Sequence, residues 1–295
     1  MGEKVEESTK SVQARALRFL KTYDVKIIWL LVFGTVTLPM VFPIPMPMRT
    51  SEDTLKLYRR VESSPPNTVV WFSIDFGVIS LPGLQGGMSA MINHFFDKDI
   101  KIVFYCNGVA QQAILTSTMW PTIAPKQHAV LRYGVDYVIL PFVPGDVVAI
   151  ASLAKDIRSV CPSDIYGTPL DKLPLMATGG KGGKPINDYS SFSWLVTSET
   201  AWGNYVPQWK IPYGVDIVYF GTKVYTPAVM PAYSAGLMFT VIEDMKGGAE
   251  YELLSGYLGP STKQIVSQSL PHVLLIVLTV LGNASYFHSR YKRGQ

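Results

Sequence analysis

Residues 67–106 read NTVVWFSIDFGVISLPGLQGGMSAMINHFFDKDIKIVFYC. Two short apolar runs, Asn67–Asp75 and Lys101–Cys106, enclose a segment from Pro82 to Phe96 in which Leu84, Met88, Met91, Ile92 and Phe95 share one helical face. Neither run alternates with polar residues, which is the pattern of a strand buried on both faces. The intervening length suits a crossover helix, so the unit reads as strand–helix–strand with its strands parallel.

The same alternation continues outward. Val109–Trp120 reads as a helix, Tyr137–Leu140 as a third strand, and Gly145–Val160 as a helix marked by Val147, Val148, Ile150, Ala151, Leu153 and Ile157. Leu173–Thr178, Trp194–Thr197 and Val215–Phe220 are further strand candidates, and Ser234–Leu254 reads as one long final helix. Strands alternating with helices predict a Rossmann-like, doubly wound α/β domain with a mostly parallel sheet. Its expected bounds are residues 46–264.

Two apolar stretches flank this domain. A helix needs about 20 mostly apolar residues to cross a bilayer. Ile27–Pro45 holds no charge over 19 residues, and Ile265–Phe287 is also free of charge with His272 neutral. They are expected as transmembrane helices over 27–45 and 265–287, with Pro271 tolerated in the first turns of the second. Lys4, Lys10, Arg15, Arg18, Lys21 and Lys26 precede the first, and Arg290, Lys292 and Arg293 follow the second. That bias predicts cytoplasmic tails over 1–26 and 288–295, an extracytoplasmic domain, and a two-pass protein of the cell membrane. Pro39–Met48 offers no small-x-small cleavage site, so the first span is expected to stay as an anchor.

Charge is spread accordingly. The net charge is +4, and the nine tail bases less Glu3, Glu6, Glu7 and Asp24 account for +5, which leaves the domain close to neutral. With no basic face, no nucleic-acid partner is expected, and the bilayer is the partner the composition implies. Residues 11–22 carry a weak apolar stripe of Val12, Leu17, Phe19 and Leu20. The two cysteines, Cys106 and Cys161, and the four histidines show no ligand spacing, so no metal and no cofactor are expected.

In a doubly wound fold, ligands sit beyond the carboxyl ends of the strands. The candidate rim is therefore Asp75 after the first strand, Asn107 and Gly108 after the second, Asp146 after the third, then Thr178, Ser198 and Thr222. Each also suits a turn or a helix cap. Gly83-Leu84-Gln85-Gly86-Gly87 lacks dinucleotide spacing, and Gly179-Gly180-Lys181-Gly182-Gly183-Lys184 lacks the Walker pattern and runs into Pro185, so it reads first as a surface loop. Gly247 and Gly248 are expected to allow close packing against the sheet. Glu250 and Glu252, two apart on a helix, do not face each other and are poor candidates for a carboxylate pair. No G-x-S-x-G occurs, and Gly77 stands where a phosphatase would place its second Asp.

Several of these stretches carry a resemblance. Ser73-Ile74-Asp75-Phe76, Tyr133–Leu140, Pro162–Leu170, Leu173-Pro174-Leu175-Met176, Lys246–Glu252, Gln268–His272 and Leu281-Gly282-Asn283 run through most of the chain. Together they resemble an uncharacterised family of two-span bacterial and archaeal membrane proteins, in which Ala replaces Gly248. The resemblance implies two spans around an α/β domain, and no activity. The reading of the residues is then a non-enzymatic envelope component that binds a ligand or a partner, a membrane protein or a second copy. Trp194, Trp202, Tyr205, Trp209, Tyr213, Tyr219, Tyr225 and Tyr233 supply aromatic surface for contact or core. The alternative is an enzyme at the strand-end rim, acting on a small or lipid-linked substrate through Asp75, Asn107 and Asp146.

Overall fold

Six parallel strands form one sheet: β1 (Val69–Ile74), β2 (Lys101–Cys106), β3 (Tyr137–Ile139), β4 (Trp194–Thr197), β5 (Ile217–Gly221) and β6 (Thr240–Glu243). Their spatial order is β3-β2-β1-β4-β5-β6 in a computed structural model that describes residues 25–42, 48–123 and 131–293, the side chains of 285, 288, 289, 292 and 293 excepted. This is the doubly wound order, which reverses direction between β1 and β4. The helices used below are α1 (Val25–Val41), α2 (Glu52–Glu62), α3 (Leu81–Asp97), α4 (Val109–Ala113), α5 (Asp146–Lys155), α6 (Thr226–Ser234), α7 (Asp244–Ser255) and α8 (Pro260–Arg293).

The unbroken apolar runs follow from burial on both faces. Alternate β1 side chains enter opposite cores: Val69 and Trp71 one, Val70, Phe72 and Ile74 the other. The first core is covered from the chain between β3 and β6, with Ile150 and Leu153 of α5 and Val229 of α6 in it. The second is covered by α3, by Ile114 and Leu115 of the widened turn that continues α4, and by Tyr251 of α7. Cys106 lies in one core and Cys161 in the other, both buried and free, so the sheet stands between them. Of the aromatic set, Trp194, Tyr205, Trp209 and Tyr219 are core residues and Trp202, Tyr213, Tyr225 and Tyr233 are half-buried.

Three element assignments differ from the sequence reading. Leu173–Thr178 is no strand: Pro174 occupies the first turn of a short helix, Pro174–Thr178, where its fixed φ suits the helix and its missing N–H costs no bond. Ser234–Leu254 is not one helix, because Gly236 turns the chain at φ +73° and the β-branched Thr240-Val241-Ile242 then pair with β5 as a sixth strand. The helix Gly145–Val160 is also cut, with Asp156 extended between α5 and the turn Ile157–Val160.

Gly248 sits against a helix rather than the sheet. A methyl group on Gly87 of α3 would meet the Gly248 Cα inside contact distance and the Phe220 ring at 2.6 Å, so the two helices touch backbone to backbone. The neighbouring glutamates are not a catalytic pair but caps for two other helices. Glu250 accepts from the amide of Ser51 (3.0 Å) and from the hydroxyls of Ser51 (2.7 Å) and Thr54 (2.8 Å) at the start of α2. Glu252, fully buried, accepts from the amides of Gly259 (3.0 Å), Ser261 (2.9 Å) and Thr262 (2.7 Å) at the start of α8. Amide donors left over at a helix start, with the positive end of its dipole, compensate such a buried carboxylate.

Residues 47–262 form one unit of the chain, and residues 1–46 with 263–295 another. In the second, α8 contains a stretch, Pro260–Ala284, of 25 residues with mean hydropathy 1.9, long and apolar enough to cross a membrane. The helix starts at Pro260, so Pro271 lies in its interior, not its first turns. The hydroxyls of Ser267, Ser269 and Thr279 each bond the carbonyl four residues back, which satisfies them within the helix. Only this helix among the described residues reaches membrane-spanning length; α1 is apolar but 17 residues long. At 1.5 Å per residue it covers about 25 Å, short of the roughly 30 Å hydrocarbon core. The expected continuation of the first span over 43–45 and the stripe at 11–22 lie outside the described residues.

Candidate functional site

Asp75 and Ser198 leave neighbouring strands at the point where the order reverses, and there they lock together. The Ser198 amide (3.1 Å) and the Thr197 hydroxyl (2.8 Å) donate to one Asp75 oxygen, and the Ser73 hydroxyl donates to the other at 2.5 Å. In return the Asp75 amide donates to the Ser198 hydroxyl at 3.2 Å. Behind them the chain continues inward, with Tyr205 donating to Ser73 (3.0 Å) and the Trp71 indole to Tyr205 (2.9 Å). The Asp75 residue is only partly covered, but its oxygens point into this network. Desolvation there outweighs the three donors and lifts its pKa to about 6. Such a value suits proton transfer near neutral pH, yet both oxygens are already committed to the fold.

The rest of the carboxyl edge is acidic and backbone-strained. Glu199, buried at φ +48°, accepts from the Thr222 amide and hydroxyl, both at 3.2 Å. Burial raises its pKa against those two bonds, and the nearby Asp244 adds to the rise. Asp244 itself sits at φ +51°, its carboxylate over Gly83, where any side chain would collide with it. Asp146 is exposed at φ +42° as the first residue of α5. Asn107 donates its amide to the Ile74 carbonyl at 3.3 Å, while its buried side-chain oxygen has no hydrogen-bond partner among the described residues. Gly108 follows in extended conformation, with the Gln111 side-chain amide lying over it. Thus Asp75, Ser198 and Asn107 adjoin at the switch point, and Thr222 belongs with Glu199, which was not among the residues expected at the rim. Asp146 shares no hydrogen bond with any of them.

Along this same edge the turns and first helical turns after the strands expose aliphatic side chains. Val78 and Ile79 follow β1, Val109 follows β2, Val147 and Val148 follow β3, and Val224 follows β5. Ile79 is 98% exposed, Val224 81% and Val148 72%.

Thr178 lies elsewhere. With Pro174–Thr178 a helix, Thr178 and the loop Gly179–Gly183 reach the amino ends of the strands, beside Thr68 and Val69 of β1, Lys101 of β2 and Ser193 before β4. There they close a cavity of about 600 Å³. Lys101 projects from the start of β2 and is held by Asp136 (2.7 Å) and Asp99 (2.6 Å). Burial works against its charge, but the two carboxylates prevail and its pKa is raised. Arg132 donates through Nε to Asp136 at 3.3 Å, its side chain otherwise largely exposed. Sequence reading found no role for Lys101 or Arg132, because strand-start residues gather only through the sheet order.

No group of three or more His, Cys, Asp and Glu side chains able to hold a metal occurs among the described residues. No family model, no curated protein and no solved structure matches the chain.

Proposed function

We propose that the chain is a membrane-anchored binding protein, a non-enzymatic component whose α/β domain meets a protein partner through its carboxyl edge. The observation that carries this reading is the set of six exposed aliphatic side chains in the turns and first helical turns that follow β1, β2, β3 and β5. Water-exposed apolar side chains gathered along one edge mark contact surfaces. The commitment of Asp75 to Ser73, Thr197 and Ser198 supports the non-enzymatic form, since the best-placed acid is used to join β1 to β4. The enzyme alternative keeps one favourable feature, the Asp75 pKa of about 6.

The anchoring part of the proposal is two-pass, with both tails cytoplasmic and the domain outside. The apolar helix within α8 supports it. A single cysteine at the exposed Ser63, in a background lacking Cys106 and Cys161, tests it: a membrane-impermeant maleimide is expected to label intact cells. Labelling only after lysis would reverse the orientation.

For the contact face, a photo-crosslinking amino acid replaces Ile79 in cells. A discrete protein adduct, lost when Val148→Glu and Val224→Glu are added, is expected; an adduct at twice the chain's mass would make the partner a second copy. Adducts with lipid alone, or none, would overturn the partner reading.

A further inference from the structure

We infer that the cavity at the amino edge binds a small molecule carrying an anionic oxygen group, phosphate or carboxylate, on an apolar body. This site is separate from the proposed contact face and does not depend on it. Its volume of about 600 Å³ falls within the range of small-molecule sites. Lys101, Arg132 and Lys181 all reach its wall, and no carboxylate among the described residues lines it. The carboxylates that hold Lys101 lie behind that wall: Asp99 and Asp136 line a neighbouring cleft with Phe96 and Leu131. Lys101 and Arg132 border both spaces, and with the two carboxylates counted the five groups sum to +1.

Two of the cations keep donors in hand. Arg132 spends only Nε on Asp136, and its two terminal nitrogens have no hydrogen bond among the described residues. Lys181 has no partner among them either. A guanidinium fork is shaped for two oxygens of one anion, and an ammonium adds a point charge. The loop that follows Lys181 turns at Gly182 (φ +71°) and Gly183 (φ +75°), where a side chain would strain the backbone. The amides of Gly179, Gly180 and Gly183 are spent within this segment, on the carbonyls of Leu175, Lys184 and Gly180, so the side-chain cations carry the recognition. Val69, Val135, Leu175 and Pro174 also line the cavity and give it apolar surface for a ligand with a hydrocarbon part. The glycine–lysine run that lacks a Walker pattern thus gains its cationic partners from β2 and the segment before β3.

Phenyl phosphate is the probe, titrated calorimetrically into the full chain in detergent micelles, with phenol and inorganic phosphate as comparisons. Saturable binding is expected, tighter than for inorganic phosphate, with none for phenol. Arg132→Gln and Lys181→Gln are each expected to weaken it about tenfold, the loss typical of one charge-assisted hydrogen bond. Both variants should keep the wild-type circular dichroism and melting temperature, since neither side chain is part of a core. Absence of saturable binding would overturn the inference. So would an unchanged Kd in both folded variants, or phenol binding as tightly as phenyl phosphate.

Discussion

The two edges of the sheet divide roles in a way the fold alone would not suggest. The carboxyl edge, where a doubly wound domain ordinarily receives its ligand, is closed between β1 and β4 by Asp75, Ser73, Thr197 and Ser198. The amino edge, ordinarily the structural side, holds the open cavity with cations on its wall. The difference lies in what satisfies the polar groups. At the crevice each Asp75 oxygen already has a donor from the protein, whereas among the described residues Lys181 and the two terminal nitrogens of Arg132 have donor capacity that no acceptor uses. A shared architecture fixes where strands end, and the side chains decide which end is vacant.

Substitutions sharpen that contrast, the largest first. Gly87→Ala drives a methyl into the Gly248 backbone and the Phe220 ring, with no flexible side chain to yield. A loss of about 3 kcal/mol is expected in urea unfolding, since overpacked backbone contacts relax poorly. Asp75→Ala is expected to cost about 2 kcal/mol at pH 5, because it strands two hydroxyls and an amide. A change in phenyl phosphate affinity in that variant would break the separation of the edges.

The pH dependence tests the same latch. The Asp75 pKa is about 6 in the fold against 3.8 for an ordinary Asp, so the folded state holds this proton more tightly than the unfolded chain. Its contribution is complete below about pH 4 and is lost as pH rises through 6, a span worth at most about 3 kcal/mol. Comparing wild type with Asp75→Asn between pH 4.5 and 8 isolates it. The wild type is expected to gain stability towards acid relative to the variant; parallel curves would show that Asp75 titrates normally. Smallest of all, Arg132→Gln should move stability by no more than about 0.5 kcal/mol, as expected for an exposed ion pair. A larger loss would make the amino-edge cations structural and remove the contrast.

Much of this arrangement was legible in the chain itself. β1, β2 and β4 are continuous apolar runs long enough to be recognised, and the residues after them, Asp75, Asn107 and Ser198, did fall together at the switch point. β6 was hidden because Leu237–Ile242 joins an apolar run to the helical Lys246–Glu252, and only the left-handed turn at Gly236 separates α6 from the strand. Thr178 was misplaced with its element: five residues behind a proline carry too little periodicity to distinguish strand from helix. The amino-edge cavity left no local signal, since Lys101, Arg132 and Lys181 stand tens of residues apart and meet through β-strand order.

The caps supplied by Glu250 and Glu252 have a mechanical meaning. Ser51 stands near one end of the residue 47–262 unit and Thr262 closes the other, and the carboxylates bonded to them are two residues apart on α7. Tension drawn through the chain from both sides therefore converges on a single turn of one helix. The two ends of the 47–262 unit are thereby pinned within one turn of α7, through Glu250 at one end and Glu252 at the other.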